Sequence, residues 1–236
     1  MATMAHAMRK IGLLGGMSWE SSALYYAVVN EAVRERLGGY HSARVVMSSV
    51  DFAEVEAMQA AGEWAAAGDL LAGEAAALEA AGAECLVLCT NTMHKVADAI
   101  EAATTVPLVH IVDVTAAAVR AAGLTRVALL GTRFTMEQSF VRERLAAGGV
   151  KALVPQGEDL ETVHRVIYDE LVHGVVREAS RAAYVDVIDR LVAAGAEGVV
   201  LGCTEIELLV GPDDVDVPVF ATTRLHALAA VDLALG

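Results

Sequence analysis

The chain has 236 residues, of which 56% are hydrophobic, and its 31 acidic against 17 basic residues give a formal net charge of −14. This composition excludes a disordered chain, and the negative charge disfavours binding to nucleic acid or to an anionic membrane surface. No run approaches the roughly 18 apolar residues of a membrane helix, and residues 1–8 are too short for a signal peptide, so we expect a cytoplasmic protein.

Short apolar runs alternate along the chain with longer alanine-rich amphipathic stretches, which predicts βα units in mainly parallel sheets. The predicted strands, in chain order, are 10–14, 43–48, 85–89, 108–111, 126–130, 152–154, 198–202 and 217–221. The predicted helices lie between them, at 20–37, 52–81, 92–102, 114–122, 136–145, 160–172, 178–194 and 223–235. The pattern therefore predicts an α/β fold.

Three segments of the first half recur in the second half, in the same order. Residues 10–15 recur at 126–131, residues 81–92 at 194–205 and residues 106–109 at 217–220, with offsets of 116, 113 and 111 residues. Solenoid repeats run to roughly 20 to 50 residues, so this spacing indicates a duplicated lobe. We predict two pseudo-symmetric αβα lobes, 1–122 and 123–222, with a cleft between them, and the last helix, within 223–236, can pack back on the first lobe.

The register of the middle repeat pairs two different residues. Gly195 matches Gly82 and Cys203 matches Thr90 without a gap, because 195 − 82 and 203 − 90 are both 113. Cys89 is therefore not the counterpart of Cys203.

Small and hydroxyl residues follow four of the predicted strands, at 15–18, 90–92, 131–132 and 203–205. Ligands of parallel sheets bind beyond the carboxyl ends of the strands, where helix N–H groups can hold a carboxylate. The alternative is that these turns are ordinary helix caps. Their recurrence at equivalent strand ends favours a binding site.

Cofactor motifs are absent from the sequence. The glycines of 12–16 lack the Gly-x-Gly-x-x-Gly spacing, and no phosphate-binding loop motif occurs. Cys85, Cys89 and His94 fall on a strand, a turn and a helix without the paired spacing of a zinc site. We expect neither a cofactor nor a metal.

The three cysteines are too few for a disulfide framework, and in a reducing compartment they remain thiols. Cys203 lies at a strand end near helix N–H groups, which favours a reactive thiolate, whereas Cys85 fits a small buried apolar residue. Glu84 and Glu197 precede their strands and are expected to cap them or to face solvent. His94 follows the site on its helix and could help to orient it, but the commoner case, which we expect, is an exposed helix face.

Four motifs resemble one known family. They are 12–20 (GLLGGMSWE), 89–94 (CTNTMH), 129–132 (LLGT) and 202–205 (GCTE), and the resemblance to the aspartate/glutamate racemases covers nearly the whole chain. The sequence is most similar to the bacterial racemases specific for L-aspartate and L-glutamate. The resemblance implies two αβα lobes with the active site between them, no cofactor, and usually a homodimer.

The reaction that this resemblance implies is removal of the α-proton of an amino acid on one face and its return on the other. Cys203 and Thr90 are the implied catalytic residues, because the family's Cys-Asn-Thr reads Thr90-Asn91-Thr92 here. A hydroxyl is a far weaker acid than a thiol, so we expect Cys203 to transfer protons well and Thr90, through water or a neighbour, poorly. Cys89 is the rival to Thr90 if a bend turns its side chain towards the cleft.

The resemblance also implies the residues that bind the substrate's α-carboxylate and α-amino group. They are Met17, Gln59, Asn91, Thr92, Thr132, Thr204 and Glu205. Aspartate racemases bind the distal carboxylate with an arginine and a lysine. Here no lysine follows Lys151, and 49–51 (SVD) stand where the arginine is expected, so that Arg133, Arg165 or His173 are the substitutes.

Other functions remain open at this point. The missing basic residues are compatible with a racemase of broad specificity or of neutral amino acids. Maleate isomerases, hydantoin racemases and arylmalonate decarboxylases resemble the same duplicated fold, and the absent first cysteine is compatible with a non-catalytic binding protein.

Overall fold

The computed structural model describes residues 8–236, so the N-terminal segment considered for a signal peptide lies, except for Met8, outside the described residues. It contains two compact units. The first holds the described residues up to His110 together with His226–Gly236, and the second holds Ile111–Leu225. Among the described residues, no helix is long and apolar enough to cross a membrane.

The first unit is built on a parallel sheet of four strands in the order β2-β1-β3-β4. The strands are β1 (Ile11–Gly15), β2 (Val45–Ser49), β3 (Cys85–Leu88) and β4 (Leu108–Val109). The helices are α1 (Trp19–Leu37), α2 (Phe52–Ala61), α3 (Trp64–Ala80), α4 (Ala97–Ala103) and the C-terminal helix, which begins at Thr222 and ends at Leu235. A 3₁₀ helix, Thr92–Val96, follows β3.

The second unit repeats this topology, with the strand order β6-β5-β7-β8 and parallel pairing throughout. Its strands are β5 (Arg126–Gly131), β6 (Lys151–Leu153), β7 (Val199–Gly202) and β8 (Val219–Ala221). Its helices are α5 (Ile111–Ala121), α6 (Arg133–Glu137), α7 (Ser139–Ala147), α8 (Glu158–Asp169) and α9 (Glu178–Ala193), so that the C-terminal helix is α10. Short 3₁₀ helices lie at Leu171–His173 and Thr204–Leu208. The predicted α/β class with two similar, parallel sheets is confirmed.

Successive residues of a strand point to opposite faces of its sheet. Because the strands carry apolar side chains on both faces, helices cover each sheet on both sides. In the first unit, Ile11, Leu13, Cys85 and Val87 pack with α1 and α10. The alternate residues Leu14, Leu86 and Leu88 pack with α3 and its neighbours. The second unit likewise has two cores, one on each face of its sheet. One is formed with α8 and α9, and the other with α5 and α7.

Several predicted elements differ from the observed ones. The predicted helix 52–81 is two helices, because Gly62 ends α2 in a left-handed conformation with φ of 73°. The predicted helix 136–145 is divided by Gln138, which has extended backbone angles and separates α6 from α7. The helix predicted at 114–122 and expected in the first lobe is observed as α5, and its apolar side chains lie in a core of the second unit.

The echoed glutamates have the same contact in both units. Glu84 Oε2 accepts a hydrogen bond from the backbone N–H of Lys10, 2.8 Å away, where β1 begins. Glu197 Oε2 accepts from the N–H of Arg126 at 3.0 Å, where β5 begins. The repeat therefore extends from sequence to side-chain contacts, although each glutamate caps the neighbouring strand, β1 or β5, and not the strand β3 or β7 that it precedes.

Candidate active site

The turn after β1 is closed by a serine network. Ser22 Oγ accepts a hydrogen bond from Gly16 N at 2.8 Å and donates to the carbonyl of Ser18 at 2.9 Å. Gly16 has a φ of +97°, and a Cβ there would lie 2.2 Å from the carbonyl oxygen of Val50. Only glycine fits this position. Ser18 Oγ caps α1 by accepting from Ser21 N.

Thr90 lies directly after β3, and its backbone is held on both sides. Its N–H donates to Leu88 O at 2.8 Å, and its carbonyl accepts a hydrogen bond from His94 Nδ1 at 2.7 Å. Ser21 Oγ donates to the preceding carbonyl, that of Cys89, at 3.2 Å. The half-buried Thr90 side chain is thus attached to an ordered turn at the carboxyl end of the sheet.

Cys89 lies in the core instead. Its side chain is completely buried with Cys85 and Val87 beneath α1 and α10, so the alternation of β3 continues through it without a bend. Its Sγ donates to Val87 O at 3.6 Å. Burial raises the pKa of the Cys89 thiol, which keeps the thiol protonated. These features are those of a small apolar core residue.

Cys203 lies directly after β7, the strand equivalent to β3, and is only partly buried. Its Sγ donates a hydrogen bond to Glu205 Oε2, 3.0 Å away. Burial, and then the neighbouring Glu205 carboxylate, raise the pKa of the thiol well above its ordinary value. The expectation that this position favours the thiolate is therefore wrong.

The raised pKa of Cys203 has an electrostatic cause. A hydrogen bond from the Glu205 backbone N–H does lower the pKa of Cys203, as is expected at the start of a helix. It is outweighed by burial and by the carboxylates of Glu205 and Glu207 on the 3₁₀ helix Thr204–Leu208, which disfavour a second negative charge. Cys203 at rest is a protonated thiol beside a carboxylate.

A family model described as Asp/Glu/hydantoin racemase matches residues 14–230. The chain belongs to this racemase family. The match spans both units and includes both of the strand-end turns that carry Thr90 and Cys203. The predicted resemblance to the aspartate/glutamate racemases is confirmed.

Three solved structures show how far this similarity to other racemases extends. A candidate Asp/Glu racemase from Yersinia pestis is 52% identical, with a TM-score of 0.93 over 97% of this chain and 100% of that chain. An aspartate racemase homologue from Pyrococcus horikoshii OT3 is 35% identical, with a TM-score of 0.86 over 96% and 99%. An aspartate racemase from Picrophilus torridus is 17% identical, with a TM-score of 0.73 over 96% and 94%, and shares the fold.

Most of the other residues that we predict to bind substrate are buried. Thr204 Oγ1 lies 2.9 Å from Thr223 Oγ1. Thr132 caps α6 by accepting from Thr135 N. Met17 is buried in the core that faces α3, and Gln59 is buried with its Nε2 donating to Met93 Sδ at 2.9 Å.

Asn91 and Thr92 continue the turn of Thr90. Asn91 is half-buried, and Thr92 is buried at the first position of the 3₁₀ helix that follows β3. Both therefore belong to the same strand-end segment as Thr90, as the motif in the sequence predicts.

The three basic residues suggested for a distal carboxylate all lie in the second unit. Arg133 pairs with Glu161, with Nη2 and Oε2 2.6 Å apart, and Arg165 lies 3.9 Å from the buried carboxylate of Glu170. His173 is exposed at the end of its 3₁₀ helix. Each arginine therefore already has an acidic neighbour.

Two further titratable residues lie near the strand ends, and one of them, Glu207, has no distinguishing signal in the sequence. His94 is buried, not exposed, with 4% of its surface accessible, and it contacts the turn of Thr90. Glu207 Oε1 accepts a hydrogen bond from Thr223 N at 3.3 Å. Within residues 8–236, no group of three His, Cys, Asp or Glu side chains is arranged to hold a metal ion.

Proposed function

We propose that this protein is a cofactor-independent amino-acid racemase in which Cys203 and Thr90 exchange the α-proton on opposite faces of the substrate. The observation that carries the proposal is the Cys203 thiol bonded to Glu205 at the end of β7, at the position where the equivalent strand β3 is followed by Thr90. The duplicated fold thus supplies two equivalent strand ends with different chemistry.

The Cys203–Glu205 pair can act in both directions. As an acid, the thiol delivers its proton directly to the α-carbon. To act as a base, it first passes that proton to the Glu205 carboxylate, and the thiolate then takes the α-proton while the electron pair stays on the α-carbon. Glu205 is therefore proposed as the proton acceptor of the thiol as well as a residue of the substrate pocket.

The Thr90 face completes the reaction. A proton from its hydroxyl, or from water held by it, returns to the carbanion, and proton exchange with solvent restores Thr90 and Glu205. Because a hydroxyl gives up its proton far less readily than a thiol, this transfer is the slower one. Donors around the α-carboxylate must stabilise the carbanion, and we propose Asn91, Thr92, Thr132 and Thr204 for this role.

Aspartate or glutamate is the proposed substrate. The family description and the names of the two structural relatives that are 52% and 35% identical support an acidic amino acid. Arg133, Arg165 or His173 would then bind its distal carboxylate. We also propose a cytoplasmic homodimer, since the family resemblance implies one, and light scattering on the purified protein measures its mass directly.

A second candidate is a racemase of broad specificity that accepts neutral amino acids. It is favoured by the segment that stands where the family has its arginine: Asp51 there caps α2, its Oδ1 accepting from Ala53 N at 3.0 Å. The pairing of Arg133 with Glu161 points the same way.

The test uses deuterated water. The protein is incubated separately with L-aspartate, L-glutamate and a set of neutral amino acids, and deuterium at Cα and the ratio of enantiomers are measured. We expect deuterium incorporation together with racemisation of one or more of them. Activity with both acidic and neutral substrates would support the second candidate, and no exchange with any amino acid would remove the racemase function.

Three variants separate the proposed catalytic residues from the rival cysteine. Cys203→Ser should abolish racemisation, whereas Cys89→Ser should retain it, because Cys89 is buried in the core. Thr90→Cys should speed the slower transfer. Racemisation abolished by Cys89→Ser in a folded protein would show that the wrong residue of the first turn has been assigned.

A further inference from the structure

Three buried histidines form a cluster, one of them contacts Thr90, and the proposed reaction uses none of them. His94, His110 and His226 have accessible fractions of 4%, 5% and 0%. The ring centroid of His94 is 4.6 Å from that of His110 and 5.5 Å from that of His226, with the rings inclined at 64° and 65°. All three belong to the first unit, although His226 is 132 residues beyond His94, since 226 − 94 is 132.

His226 is held in a neutral form with a defined tautomer. Its Nε2 lies 2.6 Å from Val109 O, and a carbonyl only accepts, so Nε2 carries the hydrogen. Its Nδ1 lies 2.8 Å from the hydroxyl of Tyr25, which therefore donates to it. Burial lowers the pKa of His226 to about 4. The His226 ring is thus uncharged and held by two hydrogen bonds, and the ring of His94 packs against it.

His94 contacts both the His226 ring and the turn of Thr90. Its Nδ1 lies 2.7 Å from the carbonyl oxygen of Thr90, so Nδ1 carries the hydrogen and donates it. Because His110 and His226 both contact the ring, rotation of the imidazole away from Thr90 is sterically restricted. The hydrogen bond fixes the peptide group between Thr90 and Asn91, and with it the direction of the Thr90 side chain and of the Asn91 N–H.

We propose that His94 is a positioning residue, which holds Thr90 in the orientation needed for proton transfer through its Nδ1 hydrogen bond and its packing against His110 and His226. This inference rests on the proposed racemase function. A displacement of about 1 Å at a reacting group can cost about a hundredfold in rate. The effect should therefore fall on the Thr90 transfer and leave the Cys203 transfer intact.

Two isosteric variants test this role. The side-chain amide of His94→Asn can place an N–H where Nδ1 is, whereas that of His94→Gln places it nearer to the position of Nε2. His41→Gln is the matched control, because His41 is exposed in the loop before β2. Thermal unfolding and circular dichroism establish that each variant is folded.

The decisive measurement is the ratio of α-hydrogen exchange with retained configuration to racemisation in deuterated water. Cys203 removes the α-hydrogen of one enantiomer. If the Thr90 transfer is slow, Cys203 returns deuterium from solvent to the same face, and the configuration is retained. We expect His94→Gln to raise this ratio about tenfold and to lower racemisation by at least as much, with His94→Asn and His41→Gln within about threefold of the unsubstituted protein.

The role of His94 and the racemase function are refuted by different results. An active protein in which His94→Gln leaves the ratio unchanged, or in which His94→Asn is as impaired as His94→Gln, would overturn the role of His94 alone. An unsubstituted protein that neither exchanges nor racemises any amino acid would overturn the racemase function and the role of His94 with it.

Discussion

Glu207 offers the sharpest quantitative test of the electrostatics around Cys203. It lies on the 3₁₀ helix Thr204–Leu208 and is partly buried. Burial, and to a smaller extent the charge of Glu205, raise the pKa of its carboxyl, whereas hydrogen bonds from Thr223 and the charge of Arg224 lower it. The net result is a pKa raised from 4.5 to about 7.

The sign of the effect on stability follows from proton binding. Between pH 4.5 and pH 7 the folded protein keeps a proton on Glu207 that the unfolded chain has released. The resulting stabilisation is complete below pH 4.5 and is lost as the pH rises through 7. At about 1.36 kcal/mol for each pKa unit, the difference corresponds to at most about 3 kcal/mol.

The variant Glu207→Gln keeps an acceptor for the Thr223 N–H and cannot ionise. The free energy of unfolding of the two proteins is compared at pH 4 and at pH 8. Between these two values, the unsubstituted protein should lose up to about 3 kcal/mol of stability relative to the variant. Both tryptophans lie in the first unit, so urea unfolding is followed by far-ultraviolet circular dichroism, which also reports on the second.

Glu143→Gln is the matched control, because it makes the same change of charge at an exposed site on α7. Its difference from the unsubstituted protein should vary little with pH. A difference between the unsubstituted protein and Glu207→Gln that stays constant from pH 4 to pH 8 would refute the reasoning.

Three further outcomes are expected. Tyr25→Phe removes the hydroxyl that donates to the buried Nδ1 of His226, so chemical denaturation should show a loss of about 1–3 kcal/mol. Gly16→Ala places a Cβ 2.2 Å from a carbonyl oxygen at a φ of +97°, and a loss of less than about 2 kcal/mol in the same assay would contradict this geometry. Glu205→Gln should lower the pKa of the Cys203 thiol by removing a carboxylate, so iodoacetamide should alkylate it faster at pH 8, and an unchanged rate would show that burial alone raises this pKa.

The sequence alone determined the architecture because the signals for it are local and are repeated. The short apolar runs predicted the strands, the alanine-rich amphipathic stretches predicted most helices, and the repeat predicted two similar lobes, which are observed as two sheets of the same topology. The register also singled out Thr90 as the counterpart of Cys203.

The tertiary structure decided the protonation and the support of these residues. Cys203 is a protonated thiol because of burial and the Glu205 carboxylate, whereas a strand end near helix N–H groups predicted a thiolate. His94 is buried because His226, far away in the chain, packs against it. A local pattern predicts where a residue lies on a strand or helix, but its solvation and charge neighbours depend on segments that only folding brings together.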